Sequence, residues 1–352
     1  SHTTTRYYID GKTKVHHCDL RQKDSCKALI QHNAPDVVIH LAARVGGIGA
    51  NQESPGTFIH DNLVMGINLI DACKDSVDKF VLAGTVCSYP KYCQVPFEET
   101  FIWDGYPEET NAPYGIAKKT LTVMLDAYRN QYGLNGITVI PVNMYGPHDN
   151  FKPESSHVIP ALIKKIEEAG EYGELEIWGT GNASREFLHV RDSARGIVMA
   201  AESYNEPSPV NLGTYDEIKI CELVQTLREI MGHKGEVRYN RDKPDGQPRR
   251  CLMTSKAKSK FGFSAEIGLR EGLEETVGWY IESKKKDIAK KKVDEADYGA
   301  VNFPQTYKLG FCYDKSNNRS LEQKIKDSDL DLKNQFTLII SVHERKNYIQ
   351  NL

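Results

Sequence analysis

The sequence predicts a doubly wound α/β fold, a parallel sheet covered by helices, followed by a smaller mixed α/β lobe. Three observations carry this. The runs "DVVIHLAA" (36–43), "KFVLAG" (79–84) and "ITVIPVN" (137–143) are continuously apolar, as strands buried on both faces are. Stretches with helical spacing stand between them. The order strand, helix, strand, helix is that of crossover units in a parallel sheet.

In the first helical stretch, "TFIHDNLVMGINLIDACK" (57–74), Phe58, Leu63, Ile67 and Ile70 are expected to share one face. The second, "PYGIAKKTLTVMLDAYRNQYG" (113–133), opens with Pro113 and closes with Gly133, start and stop signals of a long helix. "GGIGANQESPG" (46–56) reads as a glycine-rich loop. Residues 1–150 make the first domain. After Gly146 the texture becomes mixed, with short strands and helices such as "HVIPALIKKIEEAG", "ELEIWG", "REFLHV" and "KICELVQTLREIMG". Residues 151–283 are therefore a second lobe whose segments partly return to the main sheet. From 284 to 335 the chain is polar and reads as a linker; "KKKDIAKKK" within it is a solvated helix end or tether. Residues 336–352 hold a strand, Phe336 to Val342, that reads as the start of a further domain.

The totals narrow the function. The chain has 352 residues, room for a sizeable core. Its net charge of −3 argues against nucleic-acid binding by phosphate neutralisation. No apolar run reaches the roughly 18 residues that span a bilayer, so a cytoplasmic protein without a membrane segment is expected. None of the eight cysteines falls in a C-x-x-C pair, and no Cys/His cluster has zinc spacing, so no metal is expected.

The chemistry starts from "YGIAK". Tyr114 and Lys118 stand at i and i+4, one above the other on a helix. A phenol is a poor acid at neutral pH, and a nearby ammonium stabilises its phenolate. Such a tyrosine can give a proton to a carbonyl oxygen as hydride reaches the carbon. By itself the pair is more often an ordinary helix face than a catalytic one. Its place, after a strand that ends in Thr85, singles it out. In "GTVCSYPKYC" (84–93), Cys87 taken alone is a buried core thiol. His157 taken alone is a histidine at a helix N-terminus.

The chain resembles the Rossmann-like, extended short-chain dehydrogenase/reductases, and among them the GDP-L-fucose synthase family, 3,5-epimerase/4-reductases of GDP-4-keto-6-deoxymannose. The stretches that carry the resemblance are "HLAARVGGIGAN", "GTVCSYPK", "EETNAPYGIAK", "VNMYGPHDNF", "SHVIPALI", "WGTG", "REFLHV" and "KPDGQPRR", in family order across roughly residues 15 to 283. The resemblance implies that Tyr114 is the general acid of reduction. Lys118 would tune it and hold the nicotinamide ribose, and Thr85 would bind the sugar C4 oxygen. Cys87 and His157 would be the acid/base pair that inverts C3 and C5. Free thiol and imidazole both titrate within about two units of neutrality, which suits proton transfer in both directions.

The same resemblance implies a GDP-sugar site formed by Asn143, His157, Val158, Leu162, Trp178, Arg185, Arg249 and Arg250, with Lys243 a weaker candidate. Forked arginine donors suit a diphosphate, and apolar walls suit a base. Read without the resemblance, Arg249 and Arg250 are surface charge. On the cofactor side it implies Asp19 and Leu20 at the adenine, and Leu41, Ala42 and Ala43 along the ribose and diphosphate. Tyr114, Lys118 and Asn143 would lie beside the nicotinamide, and Asn62 would support the catalytic loop. The implied cofactor is NADP; Ser1, His2 and Arg6 are read as remnants of the region that selects it over NAD. A homodimer through the helix after Phe58 and the helix of Tyr114 is also implied.

Against the family pattern, the chain opens at "SHTTTRYYIDGK", past the strand, G-x-x-G-x-x-G turn and helix that cradle a pyrophosphate. At the far end, "FTLIISVHERKNYI" is similar to the opening strand of family-2-like glycosyltransferases. Two other readings remain open: another epimerase/reductase of this superfamily acting on a different nucleotide sugar such as a heptose, and an inactive nucleotide-sugar-binding fragment.

Overall fold

A computed structural model describes residues 6–8, 14–16, 18–46, 48–152, 155–243, 247–297 and 336–339. Strands β1 (Arg6–Tyr8) and β2 (Lys14–His16) pair antiparallel. Then come α1 (Lys23–Asn33), β3 (Val37–His40), α2 (Ile48–Glu53), α3 (Pro55–Cys73), β4 (Lys79–Ala83), α4 (Ala112–Tyr132), β5 (Asn135–Pro141) and β6 (Asn143–Tyr145). The lobe adds α5 (Val158–Ala169), β7 (Leu175–Trp178), β8 (Ser184–His189), α6 (Val190–Ser203), β9 (Val210–Leu212), β10 (Glu217–Lys219), α7 (Ile220–Met231), β11 (Val237–Asn240), α8 (Ser255–Phe261) and α9 (Leu269–Asp297). A last strand, β12, spans Phe336–Ile339.

The main sheet has the order β12-β3-β4-β5-β9, and every pairing in it is parallel. Its apolar runs are continuous because alternate residues feed two cores. Val37, Ile39, Val81 and Val139 enter one; Val38, Phe80 and Leu82 enter the other, under α1, α3 and α4. A third core lies inside the lobe, around Ile159, Ile163, Leu175, Leu223 and Leu273. β9, from the second half of the chain, pairs in parallel with β5 in the main sheet.

The long helix keeps its expected limits, ending at Gly133 with φ 75°, a left-handed cap. Two local expectations fail. Residues 46–56 are not one loop, since α2 and the start of α3 occupy most of them. On α3, Phe58 and Ile70 are buried but Ile67 is 40% exposed. The buried face instead runs through Met65, Gly66, Leu69 and Cys73. Gly66 decides this: a Cβ there would lie 2.2 Å from Leu121 Cδ1, so α4 packs into the gap the glycine leaves. The lysine run from Lys284 continues α9 as far as Asp297. The rest of the expected linker, 298–335, and residues 340–352 lie outside the described residues. Phe336–Ile339 lies in register on β3.

Candidate active site

The site lies beyond the carboxyl ends of β3, β4 and β5, where parallel sheets place ligands. At the end of β4 the Gly84 N–H donates to Val139 O at 2.7 Å, which carries the chain past β5 before it turns. A short 3₁₀ turn, Val86–Ser88, follows. Thr85 caps it: its Oγ1 accepts the Cys87 N–H at 3.2 Å. Ser88 Oγ donates to Gly115 O at 3.0 Å, tying the turn to the first turn of α4. Gly115 permits that approach, since a Cβ there would sit 2.2 Å from Cys87 O. Below the turn, buried Tyr89 donates its hydroxyl to Asn211 Oδ1 at 2.8 Å.

The turn therefore meets the residue next to Gly115. Thr85 and Cys87 of this turn are the neighbours that act on the Tyr114 hydroxyl. Burial pushes that hydroxyl well above the ordinary phenol range, the Cys87 charge adds to this, and the Thr85 side chain opposes it. Tyr114 is thus protonated at neutral pH, as a proton donor must be. The expected lowering by Lys118 is not among these causes. Lys118, one turn along, is only 2% exposed, and burial brings its ammonium down to about 8. Beneath it, His40 of β3 is buried and held neutral by desolvation and by the Lys118 charge.

Arg249 and Arg250, expected to act together, separate. Arg249 is exposed and its Nη2 lies 2.6 Å from Glu217 Oε2. Arg250 is 9% exposed; its Nε and Nη2 donate to Gln247 Oε1 at 3.2 Å, and its Nη1 reaches Cys87 Sγ at 3.8 Å. A guanidinium thus faces the sulfur. His157 comes from the lobe. It is the N-cap residue of α5, with an extended backbone and an exposed side chain that makes no cap bond.

The remaining expected residues come from several elements. Asn143 Nδ2 donates to Glu186 O at 2.8 Å. Trp178 is 59% exposed, with Lys165 and Lys243 Nζ each 5.2 Å from its ring centroid. Arg185 donates Nη1 to Ser184 O at 2.7 Å. Val158 is half-buried on α5, whereas Leu162 is committed to the lobe core. On the other side, Asp19 is clamped by Arg21, whose Nη2 lies 2.9 Å from Oδ2. The Leu20 side chain is fully buried, so only its backbone can line the cleft. Leu41 is exposed, and Ala42 and Ala43 follow it at the end of β3. Asn62 holds the chain there, accepting the Arg44 N–H and donating to Arg44 O, both at 3.0 Å.

These residues fit a dinucleotide. Ala42 is buried in the core, and the small side chain of half-buried Ala43 leaves the backbone after β3 open to an extended ligand. The buried Lys118 ammonium needs polar partners of the kind ribose hydroxyls offer. The sequence reading overlooked Gly115 and Gln247. Gly115 lies inside the quoted motif "YGIAK", and Gln247 in "KPDGQPRR". Among the described residues, no group of three metal-ligating side chains comes together.

A parallel sheet with a threonine just past a strand end, and a tyrosine and a lysine one turn apart on the next long helix, defines a class. The chain belongs to the NAD dependent epimerase/dehydratase family, whose model matches residues 1–213. Within it, the chain is a homologue of GDP-L-fucose synthases. It is 39% identical over 268 residues to GDP-L-fucose synthase 1 of Arabidopsis thaliana, covering 75% of this chain and 83% of that protein. The structure matches a GDP-L-fucose synthetase from Naegleria fowleri bound to NADP with TM-score 0.70, at 29% identity over 76% of this chain and 84% of that one. It also matches a GDP-6-OMe-4-keto-L-xylo-heptose reductase from C. jejuni with TM-score 0.71, at 27% identity over 76% and 88%.

Proposed function

We propose that this chain performs the NADP-dependent 3,5-epimerisation and 4-keto reduction of GDP-4-keto-6-deoxymannose to GDP-L-fucose. The observation that carries the reading is the cluster in which Thr85 and Cys87 act on the buried Tyr114 hydroxyl, Cys87 faces Arg250 and Lys118 lies one helical turn away. Protons alpha to the C4 ketone are acidic enough for an enzyme base. Inversion needs one group to take a proton and another to return one from the opposite face. Cys87 and His157 supply that pair. Tyr114 then protonates the C4 oxygen, Thr85 orients it, and Lys118 holds the ribose. NADP, when bound along Leu41–Ala43, Asp19 and Asn143, supplies the hydride. The diphosphate is assigned to Arg185, Arg249 and Arg250, and the base to Val158 and Trp178.

The heptose reductase relative favours a second reading, reduction of another GDP-4-keto sugar. The Cys87/His157 pair argues for the first, since simple reduction needs neither group. Two variants separate the steps. Cys87→Ser is expected to lose epimerisation and keep nucleotide binding; Tyr114→Phe is expected to cut reduction. Normal reduction by Tyr114→Phe overturns the assignment of the acid. A cytoplasmic location and a homodimer through the outer faces of α3 and α4 belong to the same proposal. Ile67 and Val123, 40% and 53% exposed there, are apolar surface a partner copy would cover. A monomer in sedimentation at micromolar concentration would contradict the dimer.

A further inference from the structure

Arg250 is held twice, at its backbone and at its side chain. Its C=O accepts the Glu186 N–H of β8 at 3.1 Å, and Cys251 O accepts the Phe97 N–H at 2.8 Å. The Leu252 N–H donates to Oε2 of buried Glu186 at 2.6 Å. The main chain is therefore fixed independently of the Arg250 side chain. The guanidinium has its own anchor, half-buried Gln247. Gln247 Oε1 accepts Arg250 Nε and Nη2, both at 3.2 Å, and Gln247 Nε2 donates to Lys91 O at 3.0 Å. These bonds agree on one orientation of the amide. Lys91 O only accepts, so the amide nitrogen faces it and the amide oxygen is left for the guanidinium. A guanidinium is planar and rigid, so holding its Nε–Nη2 edge directs the remaining nitrogen. That nitrogen, Nη1, is the one that reaches Cys87 Sγ at 3.8 Å. Lys91 lies just beyond Cys87 in the stretch 84–93, and its N–H donates to Tyr106 O at 3.0 Å. Gln247 thus ties the loop after the Cys87 turn to the cation that meets the sulfur.

We infer that Gln247 is the positioning residue of Arg250, aiming its guanidinium at the Cys87 sulfur, so that Arg250 serves proton transfer rather than diphosphate binding. The inference rests on the epimerisation reading above, within which it leaves the diphosphate to Arg185 and Arg249. In each inversion the C–H proton passes to one of the Cys87/His157 pair, its electron pair enters the enolate, and the other returns a proton from the opposite face. Charge on the sulfur changes as Cys87 takes or gives its proton, and a donor already aimed there needs no rearrangement. Arg250 is 9% exposed and its three nitrogens are engaged in this way, whereas Arg249 is exposed.

The test is exchange of deuterium from D2O into GDP-4-keto-6-deoxymannose, which needs no hydride, measured beside GDP affinity by calorimetry. Wild type, Gln247→Met and Gln247→Glu are compared in the full chain. Methionine matches glutamine in length and makes neither bond. Glutamate keeps an oxygen for Arg250 and loses only the donor to Lys91 O. Gln247→Met is expected to exchange about 10- to 100-fold more slowly, the cost of a misplaced group, with GDP affinity within about twofold of wild type. Gln247→Glu is expected to exchange faster than Gln247→Met. Wild-type exchange in Gln247→Met overturns the inference. So does equal loss in both variants, which a merely structural tie to the Lys91 loop would give. A fall in GDP affinity that matches the fall in exchange also overturns it, because it returns Arg250 to the diphosphate. No exchange in wild type overturns the epimerisation reading itself, and the inference falls with it.

Discussion

Lys118→Met is expected to stabilise the protein at neutral pH while abolishing reduction. The ammonium is 2% exposed, and burial takes it from 10.5 to about 8. The unfolded chain therefore holds this proton up to about 10.5 and the folded chain only up to about 8. Between those values the unfolded state binds more protons, so stability rises with pH. At about 1.36 kcal/mol per unit, the charged lysine costs the folded state ~3 kcal/mol at pH 7, falling below ~1 kcal/mol at pH 10. Methionine has similar length and no charge, so it escapes this cost. The assay is reversible urea denaturation of both forms, without cofactor, at pH 7 and pH 10. The gain from Lys118→Met is expected at pH 7 and nearly absent at pH 10. An equal gain at both pH values, or a loss at pH 7, would refute the reasoning.

Three further outcomes are expected. Gly115→Ala places a Cβ 2.2 Å from Cys87 O and must push the Thr85–Ser88 turn away from Tyr114; both reduction and epimerisation should fall, with a stability loss of about 1–3 kcal/mol by denaturant melting. Tyr89→Phe removes the donor to buried Asn211 Oδ1 and should cost about 1–2 kcal/mol, measured the same way. Arg249→Ala breaks an exposed pair with Glu217 and should change stability by less than ~1 kcal/mol. By calorimetry it should weaken GDP more than guanosine if Arg249 meets the diphosphate.

Much of this was legible in the sequence because it depends on short-range pattern. Continuous apolar runs gave β3, β4 and β5, and Pro113 and Gly133 marked α4. The i, i+4 spacing placed Lys118 one turn from Tyr114, and Thr85 stands just past the end of β4. What escaped depends on contacts between distant segments. Gly115 looks like any helix glycine until Cys87 O is packed against it. Arg250 was grouped with Arg249 as an adjacent charge, but neighbours at the end of an extended segment point apart, one to Glu217 and one to Cys87. Leu162 and Leu20 were assigned to ligands on motif position, yet both side chains fill cores. Ile67 fitted a helical stripe, but Gly66 drew the helix pair together on another face. The lowering of Tyr114 expected from Lys118 ignored burial, which dominates in this cleft.

The central claim is that one cleft performs two inversions and a reduction. The most direct measurement is mass and NMR analysis of the product formed from GDP-4-keto-6-deoxymannose and NADPH in D2O by the full-length polypeptide. The account predicts a GDP-6-deoxyhexose carrying deuterium at both C3 and C5. A reduced product with protium retained at both positions would contradict it.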